Sequence, residues 1–348
     1  MKILITGNLG YVGSPLVREL RRVHPGATLL GFDVGYFAKL VTSRAPVLAD
    51  SLLDQQYYGD VRHFPEEILA GVDTVVHLSA ISNDPIGNKF EEVTLDINYH
   101  ATRAIAEKAK EHGVRNFVFA SSCSVYGFAQ DAARTEKSEL NPLTAYAKSK
   151  VLSEEALARL ADSSFRVTCL RFATACGISD RLRLDLVLND FTAGAVASGE
   201  INILSDGTPW RPLINVKDMA RAIVWARARA AESGDFLVVN TGSNEWNYQV
   251  KELAEAIQGI LPSTVISINR DAQPDKRSYR VDFGLYRQLA PHHQPAHNLA
   301  TTIQELVEGL HGIGFHDRNF RSSNLIRLNV INDLMRTGVL DHNLAMAE

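Results

Sequence analysis

The sequence contains little cysteine and has no strong excess of one charge. Only three cysteines occur among 348 residues, and Cys123, Cys169 and Cys176 lie in apolar or small-residue runs without metal-ligand spacing. We therefore expect buried free thiols, as in a protein of the reducing cytosol, and no disulfide framework. The formal net charge of −4 lacks the basic excess typical of nucleic-acid-binding proteins, so we expect no nucleic-acid partner.

Long apolar runs are also missing. None approaches the about 20 residues that a helix needs to cross a bilayer, so we expect no membrane partner. Met1 leads almost directly into the apolar run at residues 3–5, from which we expect no secretory signal peptide. With 45% hydrophobic and 22% charged residues, the composition is that of an ordinary globular protein. The expected location is the cytoplasm.

Short apolar runs alternate with helical stretches through the first half of the chain. The predicted strands and helices are, in chain order, strand 3–5, helix 12–23, strands 28–33 and 74–78, helix 90–112, strand 116–121, helix 145–161 and strand 165–170. Buried strands alternating with helices predict an α/β fold of the Rossmann type, a doubly wound parallel sheet with helices on both faces.

The pattern changes after about residue 175. Helices are predicted near 184–198, 217–232 and 249–260, and an apolar strand at 236–240 is expected to return to the main sheet. We therefore assign residues 1–175 to a Rossmann domain and 176–313 mostly to a smaller, interleaved substrate-binding domain. Residues 314–348 form a C-terminal helical extension with a helix over 324–337, for which the sequence indicates no role.

A glycine-rich turn follows the first predicted strand and consists of Gly7, Asn8, Leu9, Gly10, Tyr11, Val12 and Gly13. Glycines in this context let the backbone approach a pyrophosphate, which then lies at the helix N-terminus. Alone, the three glycines are equally typical of a plain strand-to-helix turn. Asp33 stands 20 residues after Gly13. A carboxylate there accepts hydrogen bonds from a ribose diol and repels a 2′-phosphate, so turn and acid together predict NAD.

Tyr146 and Lys150 stand four residues apart on a predicted helix. This spacing places a phenol and an ammonium on one face, one turn apart. A nearby ammonium favours the phenolate, so we expect Lys150 to lower the pKa of Tyr146 from about 10. Such a tyrosine takes a proton from an alcohol or returns one to a ketone. The pair alone is common on inert helices, so its interpretation depends on the other motifs.

Together these motifs resemble the extended short-chain dehydrogenase/reductase family, specifically its nucleotide-sugar epimerase and dehydratase branch. The matching elements run from residue 3 to about 282. Besides the residues above, they are Asp60, Val61, His77, Leu78, Ser79, Ala80, Asn98, residues 121–127, and Leu170, Arg171 and Phe172.

The resemblance implies a catalytic set and a cofactor set. Tyr146 would be the acid/base, Lys150 would bind the nicotinamide ribose, and Ser122 would hydrogen-bond the reacting sugar oxygen. Beyond the glycine turn and Asp33, the implied NAD contacts are Asp60, Val61, Leu78, Ser79, Ala80, Asn98, Tyr146 and Lys150. Without the resemblance, Ser122 is a strand-end serine and Asp60 a surface turn acid. His77 is expected to be buried and to shape the pocket without titrating.

The resemblance also implies a nucleotide-diphosphate sugar as substrate. Arg211 and Arg277 match arginines that hold its diphosphate, a task for which the guanidinium fork is suited. The implied substrate-binding residues are Ser82, Asn83, Ser122, Ser124, Thr174, Asn189, Arg211 and Arg277. For each of the two arginines, a solvated surface charge is the alternative.

Two positions differ from the dehydrating members of this family, and they narrow the range of reactions that we expect. In the branch that dehydrates sugars across C4–C6, an Asp-Glu pair follows the serine, whereas this chain has Cys123 and Ser124. We therefore expect an NAD-dependent nucleotide-diphosphate-sugar epimerase, acting at C4 through a transient 4-keto sugar in carbohydrate or deoxysugar biosynthesis. An NAD(H)-dependent 4-keto-sugar reductase is the alternative, ahead of a 4,6-dehydratase and a non-catalytic nucleotide-binding module.

The resemblance further implies a homodimer built through a four-helix bundle. The helices around 90–112 and 145–161 would supply two helices per subunit. Ala101, Ile105 and Ala109 form a small-residue stripe that fits close packing there, although an internal core would produce the same pattern.

Overall fold

The computed structural model describes residues 1–82, 84–129, 132–269, 272 and 278–347. The strands are, in chain order, β1 (Lys2–Thr6), β2 (Thr28–Asp33), β3 (Gln55–Tyr58), β4 (Thr74–His77), β5 (Asn116–Ser122), β6 (Arg166–Phe172), β7 (Thr174–Cys176), β8 (Glu200–Ile203), β9 (Trp210–Asn215), β10 (Phe236–Thr241), β11 (Asn247–Gln249) and β12 (Val265–Ile268).

The α-helices are α1 (Gly13–Val23), α2 (Asp84–Lys89), α3 (Glu91–Leu95), α4 (Ala101–Glu111), α5 (Ala145–Leu160), α6 (Val187–Ser198), α7 (Val216–Arg227), α8 (Val250–Ile260), α9 (Gly284–Leu289), α10 (Leu299–Gly312) and α11 (Arg327–Arg336). A π-helical turn, Asp96–His100, joins α3 to α4. Short 3₁₀ helices include Val61–His63 and Cys123–Tyr126. In the described ranges, no helix is both long enough and apolar enough to span a bilayer.

Seven strands form the central sheet in the order β3-β2-β1-β4-β5-β6-β10, and every neighbouring pair is parallel. The predicted Rossmann-type fold is confirmed. Chain order reverses between β1 and β4, and such a switch point opens a crevice at the carboxyl ends of the strands. The glycine turn, which follows β1, lies at this crevice.

The sheet is buried on both faces. In β1, Ile3 and Ile5 belong to the hydrophobic cluster that includes residues of α1 and α7, whereas Leu4 belongs to the cluster on the opposite face. All three side chains are fully buried. Because successive residues of a strand point to opposite faces, a strand covered on both sides is a continuous apolar run. This explains why the central strands are recognisable in the sequence.

A second lobe follows β6. Strands β7, β9 and β11 form a three-stranded sheet, β8 pairs with β12, and α6, α8 and α10 surround a third hydrophobic cluster. The chain then returns to the Rossmann half, where Ile331, Leu340 and Leu344 are buried in the same cluster as Leu4. The C-terminal extension is therefore packed against the sheet domain.

The helix predicted over 90–112 is interrupted. It ends at Leu95, continues as the π turn and resumes at Ala101. A π turn adds a residue within a helix and is frequent at functional sites. Here it carries Asn98, whose backbone oxygen accepts a hydrogen bond from the Thr102 hydroxyl at 2.7 Å. The stripe Ala101, Ile105 and Ala109 is buried in the core of the chain itself, so it gives no support to a helical dimer interface.

A buried ion pair joins α5 to the sheet. Arg171 on β6 and Glu154 on α5 lie 2.6 Å apart, with side chains 5% and 6% exposed. Glu154 also accepts a hydrogen bond from the Ser121 hydroxyl at the end of β5. Arg171 donates to the Tyr126 hydroxyl at 3.0 Å, which in turn donates to Asn240 of β10 at 2.6 Å. Five elements, including the short helix that ends at Tyr126, are thereby fixed relative to one another.

Loss of this pair should destabilise the whole protein. Glu154→Ala leaves Arg171 buried without its counter-charge, so we expect the free energy of unfolding to fall by about 3 kcal/mol. Equilibrium urea denaturation measures the change. Glu155→Ala alters the exposed neighbour on the same helix and should have little effect. Similar effects of both substitutions would contradict a structural role for the pair.

Candidate active site

One continuous cavity of about 1230 Å³ runs from the glycine turn, past the ends of β1, β4 and β5, to the second lobe. Small-ligand pockets usually measure roughly 300–1,000 Å³. The cavity therefore has room for a dinucleotide and a second ligand side by side.

Two glycines of the turn lie so close to neighbouring backbone that neither position has room for a side chain. Gly7 has a φ of 74°, and a Cβ there would lie 2.6 Å from the Ser79 backbone nitrogen. A Cβ on Gly13 would lie 1.9 Å from the Asn8 carbonyl oxygen. Among the described residues, no side chain caps the N-terminus of α1, and its first turn contains no acid. The positive end of the helix is thus available to an anion, which fits a dinucleotide pyrophosphate.

Asp33 holds this turn in place. Its carboxylate accepts hydrogen bonds from the backbone nitrogens of Leu9 at 3.0 Å and Gly35 at 2.8 Å. Burial raises the pKa of Asp33, while these two hydrogen bonds act in the opposite direction. The side chain also lines the cavity, where a ribose could reach it.

Most of the implied NAD contacts line the cavity: Gly7, Gly10, Tyr11, Val12, Asp33, Asp60, Val61, Leu78, Ser79, Ala80, Tyr146 and Lys150. Asn8, Leu9 and Gly13 lie behind this surface as the buried layer of the turn, and Asn8 donates to the Gln56 side chain at 2.6 Å. Asp60 forms an ion pair with Arg62 at 2.5 Å and caps the short helix that follows.

Asn98, an expected cofactor contact, is not among the residues that line the cavity. It is 1% exposed, its Oδ1 accepts from the Ile81 nitrogen at 2.7 Å, and its Nδ2 donates to the Ile81 oxygen at 2.9 Å and to the Ser149 hydroxyl at 3.1 Å. Both protons of its amide are donated to other residues of the chain. It therefore positions the loop after β4 against α5.

His77 is buried between two threonines. The Thr102 hydroxyl donates its proton to the Asn98 backbone oxygen, so it can only accept a hydrogen bond from His77. The His77 Nε2 therefore donates to Thr102 at 2.8 Å. The Nδ1 atom of the neutral ring then accepts from the Thr6 hydroxyl at 2.8 Å. Burial lowers the pKa of His77 to about 3. The ring is neutral at physiological pH, in agreement with a packing role.

Ser122, Tyr146 and Lys150 meet at the centre of the cavity wall. Ser122 ends β5 and accepts a hydrogen bond from the Ser124 nitrogen at 3.1 Å. Tyr146, in the first turn of α5, is hydrogen-bonded to Ser122. Lys150, one turn later, lies with Nζ 5.6 Å from the Tyr146 ring centroid and donates to the Ala120 carbonyl at 2.7 Å. A phenol, a hydroxyl and an amine are thus assembled for proton transfer.

The pKa of Tyr146 differs from the expectation. Burial raises it to about 12, and the hydrogen bond with Ser122 opposes this only in part. Burial also lowers the pKa of Lys150 to about 7. The expected direction of the Tyr146 pKa is therefore wrong for the protein without ligands, because burial of the phenol dominates and Lys150 is not among the groups that shift this pKa.

Four implied substrate contacts besides Ser122 line the cavity, namely Ser82, Ser124, Thr174 and Arg211. Asn189, also an expected substrate contact, is not among the lining residues. It is fully buried and accepts from the Gly177 nitrogen at 2.9 Å, while its amide donates to the Arg183 oxygen at 2.9 Å and to the Tyr11 hydroxyl at 3.1 Å. Asn83 and Arg277 lie outside the described residues.

Arg183 and Asp185 line the cavity and were missed from the sequence. Arg183 makes two 3.0 Å contacts with Asp185 and donates to the Ser82 hydroxyl at 3.0 Å, and Asp84 accepts from the Thr144 hydroxyl at 2.8 Å. The charges at 183 and 185, set in an otherwise apolar run, were the available signal. The C-terminal extension also contributes to the wall, through Arg321, Ile326, Arg327, Ile331 and Leu344.

The fold and the cavity together define a dinucleotide-dependent enzyme of the Rossmann type. The chain belongs to the NAD dependent epimerase/dehydratase family, whose model matches residues 3–242. NAD is accordingly its cofactor, and the glycine turn fits it.

Relatives within this family have more than one activity. A UDP-glucose 4-epimerase of Lactobacillus helveticus is 27% identical over 79% of this chain and 87% of the relative. A dTDP-glucose 4,6-dehydratase of Streptomyces griseus is also 27% identical, over 86% of this chain and 92% of its own. The solved structure of MoeE5 in complex with UDP-glucose and NAD is 25% identical, with a TM-score of 0.73 over 90% of this chain and 99% of its own.

The low pKa of Lys150 predicts a pH dependence of stability in the ligand-free protein. The pKa of Lys150 is about 7 in the folded protein, against a usual value of 10.5. Between pH 7 and pH 10.5 the lysine is therefore protonated more in the unfolded chain than in the folded protein. Its contribution makes the stability of the protein rise with pH over this range. Its contribution to the slope is at most about 1.4 kcal/mol per pH unit. The slope of the unfolding free energy against pH should be smaller in Lys150→Met and unchanged in Lys148→Met, which alters an exposed lysine of the same helix. Equal slopes in all three proteins would refute a buried, weakly basic Lys150.

Proposed function

We propose that the protein is an epimerase of nucleotide-diphosphate sugars that inverts C4 through a transient 4-keto sugar. The observation that carries the proposal is the meeting of Ser122, Tyr146 and Lys150 on the wall of a cavity large enough for NAD and a second nucleotide. The named activities of the relatives support a nucleotide sugar as the second ligand.

Tyr146 is the proposed acid/base. It takes the proton of the C4 hydroxyl, while Ser122 hydrogen-bonds the same oxygen. A protonated Lys150 stabilises the phenolate by its charge and counteracts the burial that holds the pKa of Tyr146 at about 12. NAD, held at the glycine turn and Asp33, would supply the hydride acceptor and donor for C4. After the ketone turns over in the cavity, Tyr146 gives the proton back to the oxygen on the opposite face.

The residues after Ser122 do not favour dehydration. The Cys123 thiol donates to the Arg171 carbonyl at 3.1 Å, and burial raises the pKa of this thiol. Ser124 lines the cavity with a hydroxyl and no carboxyl group. Neither side chain replaces the acid–base pair that removes water across C4–C6.

Arg211 is the proposed anchor for the substrate diphosphate. It lines the cavity from the second lobe, as Leu204 also does, and donates to the Trp210 carbonyl at 2.8 Å. An anchored nucleotide lets the keto sugar rotate without leaving, because binding energy from the nonreacting part holds the intermediate.

We also propose a homodimer through α4 and α5. Their outward faces, which include Arg103 on α4 and Lys148 and Leu152 on α5, are exposed in the single chain. Light scattering at micromolar concentration should give twice the mass of the chain. A monodisperse monomer would refute this proposal.

Removal of the Tyr146 hydroxyl tests the chemistry. Tyr146→Phe should lower kcat by about 10²–10⁴-fold, because the proton-transfer group is lost while the ring remains. The NAD content, measured by extraction and absorbance, should not change. Tyr58→Phe removes a hydroxyl from a tyrosine that is 68% exposed and should behave as the wild type. Wild-type turnover by Tyr146→Phe would refute the assignment.

The product identifies the reaction. Incubation of the purified protein with UDP-, GDP-, CDP- and TDP-sugars, without added cofactor, should yield an isomer of equal mass from one of them. A stoichiometric demand for NADH would instead indicate a keto-sugar reductase. A product lighter by one water would indicate a dehydratase.

A further inference from the structure

The C-terminal extension crosses the cavity and is bonded to both of its sides. On the cofactor side, Arg62 donates to the Asn343 carbonyl at 2.8 Å, and the Tyr36 hydroxyl donates to the Leu344 carbonyl. On the second lobe, the Leu184 nitrogen donates to the Leu325 carbonyl at 2.9 Å. The segment between these contacts includes α11, whose first residue is Arg327.

Arg327 is buried and incompletely bonded. The residue is 3% exposed, and its Cζ lies 4.4 Å from the Phe37 ring centroid. Its Nη2 donates to the Arg181 carbonyl at 3.0 Å. Its Nη1 is buried at the cavity wall and has no hydrogen-bond partner among the residues that the structure describes. One side of the guanidinium is therefore unused.

Two other arginines near the cavity, unlike Arg327, form ion pairs with acidic side chains. Arg181 is paired with Asp50 at 2.6 Å, and Arg321 is paired with Asp190 at 2.7 Å. For Arg327, burial and then the charge of Arg183 lower the pKa to about 9, so the group remains protonated near neutral pH. A buried charge without a matching partner is costly, and such a cost is relieved by an anionic ligand.

We infer that Arg327 binds the diphosphate of a nucleotide held in this cavity, and that this nucleotide is NAD. The guanidinium stacks on Phe37, which follows the strand that ends at the ribose acid Asp33. The sugar-nucleotide diphosphate is a second source of the same chemistry, which the experiment must separate.

Arg327 lies outside the part of the chain that the family model matches, which ends at residue 242. The MoeE5 structure is covered over 99% of its length but covers only 90% of this chain, so about a tenth of this chain has no counterpart there. The inference depends on NAD being the cofactor and not on the proposed epimerisation.

The test compares three variants, with nucleotide affinities measured by calorimetry on protein freed of nucleotide. Arg327→Met keeps the volume and removes the charge, and it should weaken NAD and ADP-ribose by about 10–100-fold, as for a lost charge-assisted hydrogen bond. Uncharged adenosine should bind as before. Arg327→Lys should recover part of the loss, since it restores the charge without the fork. Arg336→Met, which alters a 73% exposed arginine of the same helix, should bind NAD normally.

Two further measurements make the outcome decisive. The melting temperature of ligand-free Arg327→Met should equal or exceed that of the wild type, because an unpaired buried charge has been removed. UDP affinity, measured with NAD saturating, should not change. A loss of UDP binding with normal NAD binding would assign Arg327 to the other diphosphate and overturn the NAD assignment. Unchanged affinities, or equal losses for adenosine and ADP-ribose with a lower melting temperature, would overturn the inference altogether.

Discussion

The buried ion pair between Glu154 and Arg171 determines where the reacting groups lie. Glu154 is on the helix that presents Tyr146 and Lys150, and it also accepts the hydroxyl of Ser121, the residue next to Ser122. Arg171 extends the contact through Tyr126 to Asn240 on the edge strand β10. Helix and strand are therefore held at a fixed separation by charge, and not by apolar packing alone. Proton transfer needs this fixity, since its efficiency depends on the distance between the groups.

The parts of the fold that sequence predicts well are those specified by local pattern. β1 is a continuous apolar run because both of its faces are covered, and Gly7 and Gly13 occur where a Cβ would collide with backbone. Other elements depend on distant partners. β3 is the polar edge strand Gln55–Tyr58, and the π turn around Asn98 is tied to Ile81 and Ser149. Neither has a periodicity that would reveal it.

The candidate site also has features that local sequence predicts and features that depend on the whole fold. Residue spacing correctly places Tyr146 near Lys150, but it does not indicate how far each is removed from water, and burial reverses the expected direction of the tyrosine pKa. Asn189 illustrates a second limit. An asparagine at a helix start can face a ligand or the protein interior, and only the fold shows that its amide joins Tyr11 to Gly177 and Arg183. Arg327 is distant in sequence from every motif of the site and could not be assigned to it.

Because the C-terminal extension forms part of the cavity wall, the cavity is completed only at the end of synthesis of the chain. Tyr36 and Leu344 are in contact although 308 residues separate them. At ribosomal rates of about 5–20 residues per second, roughly 15 to 60 seconds pass between synthesis of the first residue and synthesis of the second. During that interval the nascent sheet domain presents its glycine turn without the wall that the extension provides. A chain that ends before α11 therefore has the glycine turn but lacks both this wall and Arg327.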